Sequence, residues 1–203
     1  MKIVKITLIS LFTLISSFTA TSAEDSFRSL KHSGHYMIDL TQENEAQNWR
    51  ITNDGVMGGR SEGSVWFDKS ATIFSGNISL DNNGGFSSVY RPTPPLAKDL
   101  DTIAIDMLGD GYVYQFRVAI AVNGYRLAYK HEFETVKGQR QVINLPLKDF
   151  EATFRGRIIQ GAPQLRSEQL KQLGLLITNK KEHAFSLTLY HIKLFNSRTS
   201  QVI

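Results

Sequence analysis

The stretch Y-V-Y-Q-F-R-V-A-I-A, residues 112–121, alternates large apolar side chains with polar or small ones. A period of two is typical of a β-strand that has one face in a hydrophobic core. The residues predicted to face the core are Tyr112, Tyr114, Phe116, Val118 and Ile120. Gln115 and Arg117 are therefore predicted to face outward.

Short segments of the same kind recur on both sides of this stretch. They are rich in β-branched or aromatic residues and are bounded by Gly, Asn, Asp or Pro, which favour turns. The segments are 63–68, 71–80, 85–91, 103–108, 125–134, 139–145 and 185–189. Roughly nine to eleven strands with almost no helical periodicity indicate an all-β fold, a sandwich or a barrel.

Two local features depart from plain alternation. Leu189 lies on the inward track but the next aliphatic residue, Ile192, lies on the opposite one, which predicts a β-bulge near His191. One short helical turn is predicted over residues 167–173, with Ser167 as its N-cap and Gly174 at its end.

The first 23 residues have the pattern of a secretory signal peptide. Lys2 and Lys5 precede an apolar run over 6–15, and small residues at 21–23 predict cleavage after Ala23. The run is shorter than the roughly 20 residues that span a bilayer, so we expect no stable membrane insertion after cleavage. We expect an exported protein, periplasmic or extracellular. It has an N-terminal segment (24–36), one β-sandwich domain (37–195) and a loose C-terminal tail (196–203).

Composition excludes several classes of function. The net charge of +4 falls to +2 when the signal peptide, with its two lysines and no acidic residue, is removed. Nucleic acid is therefore not an expected partner, because phosphate binding needs clustered Lys and Arg. The chain has no cysteine, which excludes disulfides, thiol chemistry and cysteine metal sites. We expect no cofactor.

The densest motif is W-R-I-T-N-D-G-V-M-G-G-R-S, residues 49–61. One interpretation is an anion or ion cradle of backbone N–H groups with the Asp54 carboxylate. The other is a structural corner, in which Asp54 accepts N–H bonds from the loop and Trp49 with Met57 closes the end of the sandwich. We favour the structural interpretation, because no strand-to-helix switch follows the glycines as in a phosphate loop.

A second turn motif, D-N-N-G-G-F at 81–86, precedes a predicted strand, and its Asn and Gly residues suit left-handed backbone angles. We group the two motifs as signature-loop residues: Trp49, Asn53, Asp54, Gly55, Met57, Gly58, Gly59, Ser61, Gly84, Gly85 and Phe86. A calcium site could be built from Asp54, Asp81, Asp106 and Asp110. Their spacing matches no calcium loop, so we predict no metal and interpret them as carboxylates of solvated turns.

No catalytic motif stands out in the sequence. The five histidines have no recognisable nucleophile setting, and neither G-x-S-x-G nor H-E-x-x-H occurs. A pair of glycosidase-like carboxylates stays open, because spacing in the sequence does not reveal distance in space. We expect a protein that is not an enzyme.

Strand parity predicts a candidate binding face made of polar and charged side chains. It consists of Arg91, Asp106, Gln115, Arg117 and Lys130. Such a stripe could accept a ligand on a concave sheet face. The alternative interpretation is an ordinary solvated face of an antiparallel sheet.

The two loop motifs resemble the signature of the complex I intermediate-associated protein 30 family. Further matching pieces follow in order, namely F-S-G (74–76), N-G-G-F-S-S-V-Y-R (83–91), G-D-G-Y-V-Y-Q-F-R-V (109–118), F-E-T (133–135), L-P-L-K-D-F (145–150), F-R-G-R (154–157) and F-S-L-T-L-Y-H-I (185–192). The resemblance covers roughly residues 37–195 and implies a galactose-binding-domain-like jelly-roll sandwich.

The resemblance also implies a function. Mitochondrial relatives are chaperone-like factors in the assembly of respiratory NADH:ubiquinone oxidoreductase, so we expect a non-enzymatic assembly-factor or chaperone-like protein with protein partners, among them membrane-complex assembly intermediates. The fold is similar to carbohydrate-binding modules, which makes a glycan or small-ligand binding module of the cell envelope the alternative. The export signal departs from the mitochondrial members.

Overall fold

A computed structural model describes residues 34–154, 156–178 and 180–199, without the side chains of Val56 and Met57. The predicted signal peptide and its cleavage site lie outside these residues. Within them, no helix is long and apolar enough to cross a membrane.

Thirteen strands and five short 3-10 helices make up the described fold. The strands are β1 (His35–Asp39), β2 (Arg50–Asn53), β3 (Glu62–Asp68), β4 (Ala71–Ile78), β5 (Phe86–Pro92), β6 (Thr102–Leu108), β7 (Val113–Val122), β8 (Tyr125–Glu134), β9 (Arg140–Pro146), β10 (Glu151–Phe154), β11 (Arg157–Ile158), β12 (Leu170–Thr178) and β13 (His183–Phe195). The 3-10 helices are Glu43–Asn48, Asp54–Met57, Asp81–Asn83, Leu147–Asp149 and Ser167–Gln169. The predicted all-β class is confirmed.

The strands form two antiparallel sheets that face each other as a jelly-roll sandwich. The six-stranded sheet has the order β3-β4-β13-β6-β9, with β1 also paired to β13. The seven-stranded sheet has the order β11-β10-β8-β7-β12-β5-β2. Strand β7 is therefore the central strand of the larger sheet.

The core lies between the sheets and is built by the alternation that the sequence shows. From β7, Tyr114, Phe116 and Val118 are fully buried, and from β6 in the other sheet Ile103 and Ile105 are fully buried as well. Burial of each large apolar side chain stabilises the fold by roughly 1.5–3 kcal/mol. Tyr112 precedes β7 and is half-buried, and it packs against this core, so the predicted inward-facing residues are confirmed.

The predicted bulge in the last strand is confirmed. The pairing of β13 with β6 shifts register between Leu189 and His191. On its other side, β13 pairs with β4 up to Leu189 and with β1 from His191 onward. Tyr190 and His191 are both partly exposed, whereas Leu189 and Ile192 are buried. The bulge thus places two consecutive polar side chains on the outer face of the six-stranded sheet.

The predicted helical turn over 167–173 is wrong beyond its first three residues. Only Ser167–Gln169 is helical, and Leu170–Thr178 is strand β12, paired with β7 on one side and β5 on the other. The Ser167 hydroxyl donates to the Ala97 carbonyl, 2.9 Å away, and does not cap a helix. Pairing with two neighbouring strands overrides the weak local helix pattern.

Candidate functional site

Asp54 joins the two signature motifs from inside the protein. Its side chain is fully buried at the start of the 3-10 helix Asp54–Met57. Its carboxylate accepts the backbone N–H groups of Ser61 (2.9 Å), Gly85 (2.6 Å) and Phe86 (3.2 Å). Burial by itself raises the pKa of this carboxyl, but these hydrogen bonds outweigh burial and hold the pKa below its usual value.

The glycines of the motifs make room for this carboxylate. A Cβ on Gly59 would lie 2.4 Å from the carboxyl carbon of Asp54, and one on Gly84 would lie 2.6 Å from its Oδ2. Gly58 has a φ of 91°, a left-handed conformation that side chains disfavour. This agrees with the structural interpretation of the motif, because the Asp54 carboxylate accepts the loop N–H of Ser61 and the Asp54 carbonyl accepts that of Gly59.

The remaining signature residues surround this connection. Trp49 is buried in the core, and the Asn53 side-chain oxygen accepts the Ser87 hydroxyl at 2.7 Å. The Ser61 hydroxyl is 3.1 Å from both the N–H and the carbonyl oxygen of Ser79. Gly55 is exposed, and Phe86 is half-buried at the start of β5. The predicted role of Met57 as a plug lies outside the described side chains.

The four aspartates considered for calcium are engaged with other partners. Asp81 is exposed and 3.6 Å from Arg60, and Asp110 accepts the Tyr114 hydroxyl at 2.8 Å. Asp106 binds Arg140 and His191. In the part of the chain that the structure describes, no three His, Asp or Glu side chains are grouped so that they could hold a metal.

Three of the five predicted binding-face residues lie together on the outer face of the seven-stranded sheet. Arg117 on β7 is directly opposite Lys130 on β8, and Gln115 is opposite Glu132. Arg117 Nη1 donates to the side-chain oxygen of Gln115 at 2.9 Å. The amide nitrogen of Gln115, Nε2, donates to Glu132 Oε1 at 3.1 Å. Lys130 Nζ donates to the same Glu132 oxygen at 2.9 Å.

Thr153 on β10 completes this group, because its hydroxyl lies 3.3 Å from Arg117 Nη2. Arg117 Nε is buried and has no hydrogen-bond partner among the described residues. We name Gln115, Arg117, Lys130, Glu132 and Thr153 the polar face. Glu132 and Thr153 are absent from the predicted set. The alternation of β8 identifies Glu132 as outward-facing, but no local pattern reveals the contact with Thr153.

The prediction is wrong for Arg91, which lies on the inward side of the same sheet. Arg91 is paired with Leu173 on β12, and Leu173 is paired with Val118 on β7. Leu173 and Val118 are fully buried, so Arg91 shares the inward face with them. At this edge of the sheet the Arg91 guanidinium lies 2.9 Å from the Glu45 carboxylate, and both side chains are largely buried. Glu45 belongs to the 3-10 helix Glu43–Asn48, so the charge of Arg91 is compensated inside the protein.

The prediction is also wrong for Asp106, which faces outward from the six-stranded sheet and not from the polar face. Arg140 on the neighbouring strand donates to its two carboxylate oxygens at 2.8 and 2.7 Å, and the Arg140 guanidinium lies 3.7 Å from the centroid of the Tyr190 ring. His191 lies 3.2 Å from Asp106 and 3.5 Å from Asp39. The hydrogen bonds from Arg140 lower the pKa of Asp106, although burial opposes them.

An aromatic ring missing from the predicted set adjoins the polar face. Tyr90 on β5 is opposite Gly174 on β12, which is in turn opposite Arg117. A Cβ on Gly174 would lie 2.6 Å from the Tyr90 ring, so only glycine leaves room for the ring there. The Arg126 guanidinium lies 5.3 Å from the centroid of this ring and donates to Gln172 at 3.2 Å.

Comparison with known proteins agrees with this architecture. The family model of complex I intermediate-associated protein 30 matches residues 38–189. The chain belongs to this family. A similar protein from Schizosaccharomyces pombe, described as uncharacterized protein C9E9.15, is 25% identical over 169 residues, which cover 72% of this chain and 77% of the yeast protein.

Two solved structures are similar to this chain in fold. The family 11 carbohydrate-binding module of cellulosomal cellulase Lic26A-Cel5E of Clostridium thermocellum has a TM-score of 0.58 at 17% identity, covering 80% of this chain and 94% of the module. A family 11 module of that organism in complex with a β-1,3-1,4-mixed-linked tetrasaccharide has a TM-score of 0.58 at 16% identity, covering 80% and 95%. At these identities the likeness establishes the shared fold.

Proposed function

We propose that this protein is a non-catalytic binding protein that engages a partner protein through the polar face, in an assembly-factor or chaperone-like role. The observation that carries the proposal is the hydrogen-bonded row Arg117–Gln115–Glu132–Lys130 across β7 and β8. The row lies at the centre of its sheet, and its side chains already hold one another in place. Binding through pre-ordered side chains avoids part of the entropy cost of association.

Membership of the family supports a protein as the partner. The description of the family refers to association with complex I intermediates. A partner of that kind would present a protein surface to the polar face. We propose further that the protein acts after export, as the charged and apolar segments at its N-terminus predict. A partner of this exported member would then be an envelope or extracellular protein.

Crosslinking of the tagged protein, followed by identification of captured partners, tests this role. Arg117→Ala removes the central cation of the polar face, and Arg140→Ala removes an exposed arginine on the opposite sheet as a matched control. We expect partners to be lost with Arg117→Ala and kept with Arg140→Ala. A folded Arg117→Ala variant that retains every partner would overturn the assignment.

A glycan is the second candidate ligand, and one observation favours it. Tyr90 packs across Gly174 beside Arg126 and Arg117, which combines an aromatic ring with hydrogen-bond donors. Among the proteins with this fold is the module solved with a mixed-linked tetrasaccharide. Calorimetry with that tetrasaccharide tests this candidate, with Tyr90→Ala as the variant. Tyr125→Ala, at the exposed start of β8, is the control. Binding that is absent in the wild type, or equal in both variants, removes this candidate.

A further inference from the structure

A cleft at one end of the sandwich is distinct from the polar face and shares no residue with it. Its volume is about 1000 Å³, at the upper end of the roughly 300–1000 Å³ of small-molecule sites. It lies where β6 and β12 begin and where β9 and β13 end. We name it the end cleft.

Apolar residues form the deep part of the end cleft. Leu100, Leu147 and Leu165 line it and are at most 5% exposed. The half-buried Phe195, at the end of β13, also lines it. The carbon skeleton of a ligand could therefore lie against leucine side chains and an aromatic ring.

Four exposed cations from different segments line the same cleft, namely Lys98, Lys148, Arg166 and Arg198. The first three form no ion pair within 4.0 Å among the described residues. Cations gathered from four separate places in the sequence around one cleft favour an anionic group in the ligand.

Three carboxylates also line the end cleft, and one is already engaged. Asp101 accepts the N–H and the hydroxyl of Ser197, each at 2.9 Å, and the hydroxyl of Thr102 at 2.9 Å. Asp99 and Glu168 are the other two carboxylates of the cleft. The exposed amide side chains of Asn144 and Gln164 also line it. These groups suit hydroxyls, which both donate and accept hydrogen bonds. A purely cationic ligand would be repelled by the four cations, and a dense polyphosphate by the carboxylates.

We infer that the end cleft binds an acidic saccharide, with its carboxylate or sulfate groups on the cations, its hydroxyls on the carboxylates and amides, and its ring faces on the apolar floor. The inference concerns a second surface and does not depend on the partner of the polar face.

Calorimetry with three probes tests the inference: a tetrameric oligouronate, a neutral tetrasaccharide and inorganic sulfate. The oligouronate should bind, and binding should weaken as salt is added, because screening acts on the exposed cations. Lys148→Gln and Arg166→Gln should each weaken binding by about tenfold, as expected for the loss of one charge-assisted hydrogen bond. Both residues are exposed, so thermal melts should show folded variants.

Two control variants make the result specific. Lys181→Gln lies in the turn between β12 and β13, and the nine residues of β12 span about 26 Å or more from the end cleft to that turn. Arg117→Ala alters only the polar face. Both should bind the oligouronate like the wild type. Equal affinity for sulfate alone, binding of the neutral tetrasaccharide that falls equally in the Lys148 and Arg166 variants, or unchanged affinity for the oligouronate in those variants would overturn the inference. Loss of oligouronate binding in Arg117→Ala would do the same, because it would place the saccharide on the polar face.

Discussion

The Asp54 carboxylate and the Gly85 backbone N–H, 31 residues apart in the chain, are joined by a 2.6 Å hydrogen bond inside the protein. The same carboxylate binds Ser61 and Phe86, so one side chain fixes both signature motifs. Three backbone N–H groups bond to it, those of Ser61 and Gly85 in buried hydrogen bonds and that of Phe86 in a partly buried one, and buried donors without partners are costly. In this chain, Asp54 therefore connects the two loop motifs at one corner of the sandwich.

Replacement of Asp54 by Ala should destabilise the fold by roughly 1–3 kcal/mol, because its backbone donors lose their acceptor. Asp81→Ala, in the same pair of loops but exposed, should change stability much less. Denaturant melts of the two variants measure the difference. Equal and negligible losses would contradict the structural role and point to a binding role for Asp54.

The predicted signal peptide gives a second testable expectation. The charged start, the apolar run over 6–15 and the small residues at 21–23 predict a mature protein that begins at Glu24. Intact-mass measurement of protein recovered from the envelope fraction checks this. Membrane-associated protein that still begins at Met1 would refute both the cleavage and the export of a soluble form.

The Glu45–Arg91 ion pair gives a third prediction, because both side chains are largely buried. Arg91→Met leaves the Glu45 carboxylate buried without its cation and should cost up to roughly 3 kcal/mol. The double variant Glu45→Gln with Arg91→Met should recover part of this loss. Urea melts of the single and double variants form a double-mutant cycle. Strictly additive losses would mean that the pair is not coupled.

Arg91 also illustrates what strand parity alone reveals. The alternation of β5 places Val89 inward, and Arg91 two residues later must share its side. A charged residue on that track is unexpected until its partner is known, and Glu45 lies in a distant segment. For Asp106 the outward direction is predicted correctly, but parity does not say from which of the two sheets a residue faces outward.

Strand β12 shows the corresponding limit for secondary structure. The alternation of β7 is local and strong, so its inward and outward residues are readable from the sequence. By contrast, the segment S-E-Q-L-K-Q-L at 167–173 is ambiguous. Ser167 is a residue that favours the start of a helix, but the apolar residues Leu170 and Leu173 are compatible with a strand as well. Its pairing with β5 and β7 involves residues some 50 to 80 positions away, which decide the outcome.

The Asp106–Arg140 pair makes stability depend on pH in acid. Hydrogen bonds from Arg140 lower the pKa of Asp106 in the folded state, below the roughly 3.9 of an unfolded chain. Its contribution to stability is therefore full above about pH 5 and is lost as the pH falls through the folded pKa. In denaturant melts between pH 5.5 and 3, the difference in the free energy of unfolding between wild type and Asp106→Asn should become smaller as the pH falls. A difference that stays constant would show that the pair does not hold the carboxyl in its charged form.

The last prediction separates binding from scaffolding on β7, where Phe116 and Arg117 are neighbours on opposite faces. Phe116 is fully buried, so Phe116→Ala should cost roughly 3–5 kcal/mol through lost burial and a cavity. Arg117 makes two side-chain hydrogen bonds but keeps a buried Nε without a partner among the described residues, so these effects partly cancel. Arg117→Ala should therefore change stability by about 1 kcal/mol or less. Thermal and denaturant melts of both variants check the contrast. A large loss of stability in Arg117→Ala would show that the polar row is a structural brace, and would remove the reason to regard it as a binding surface.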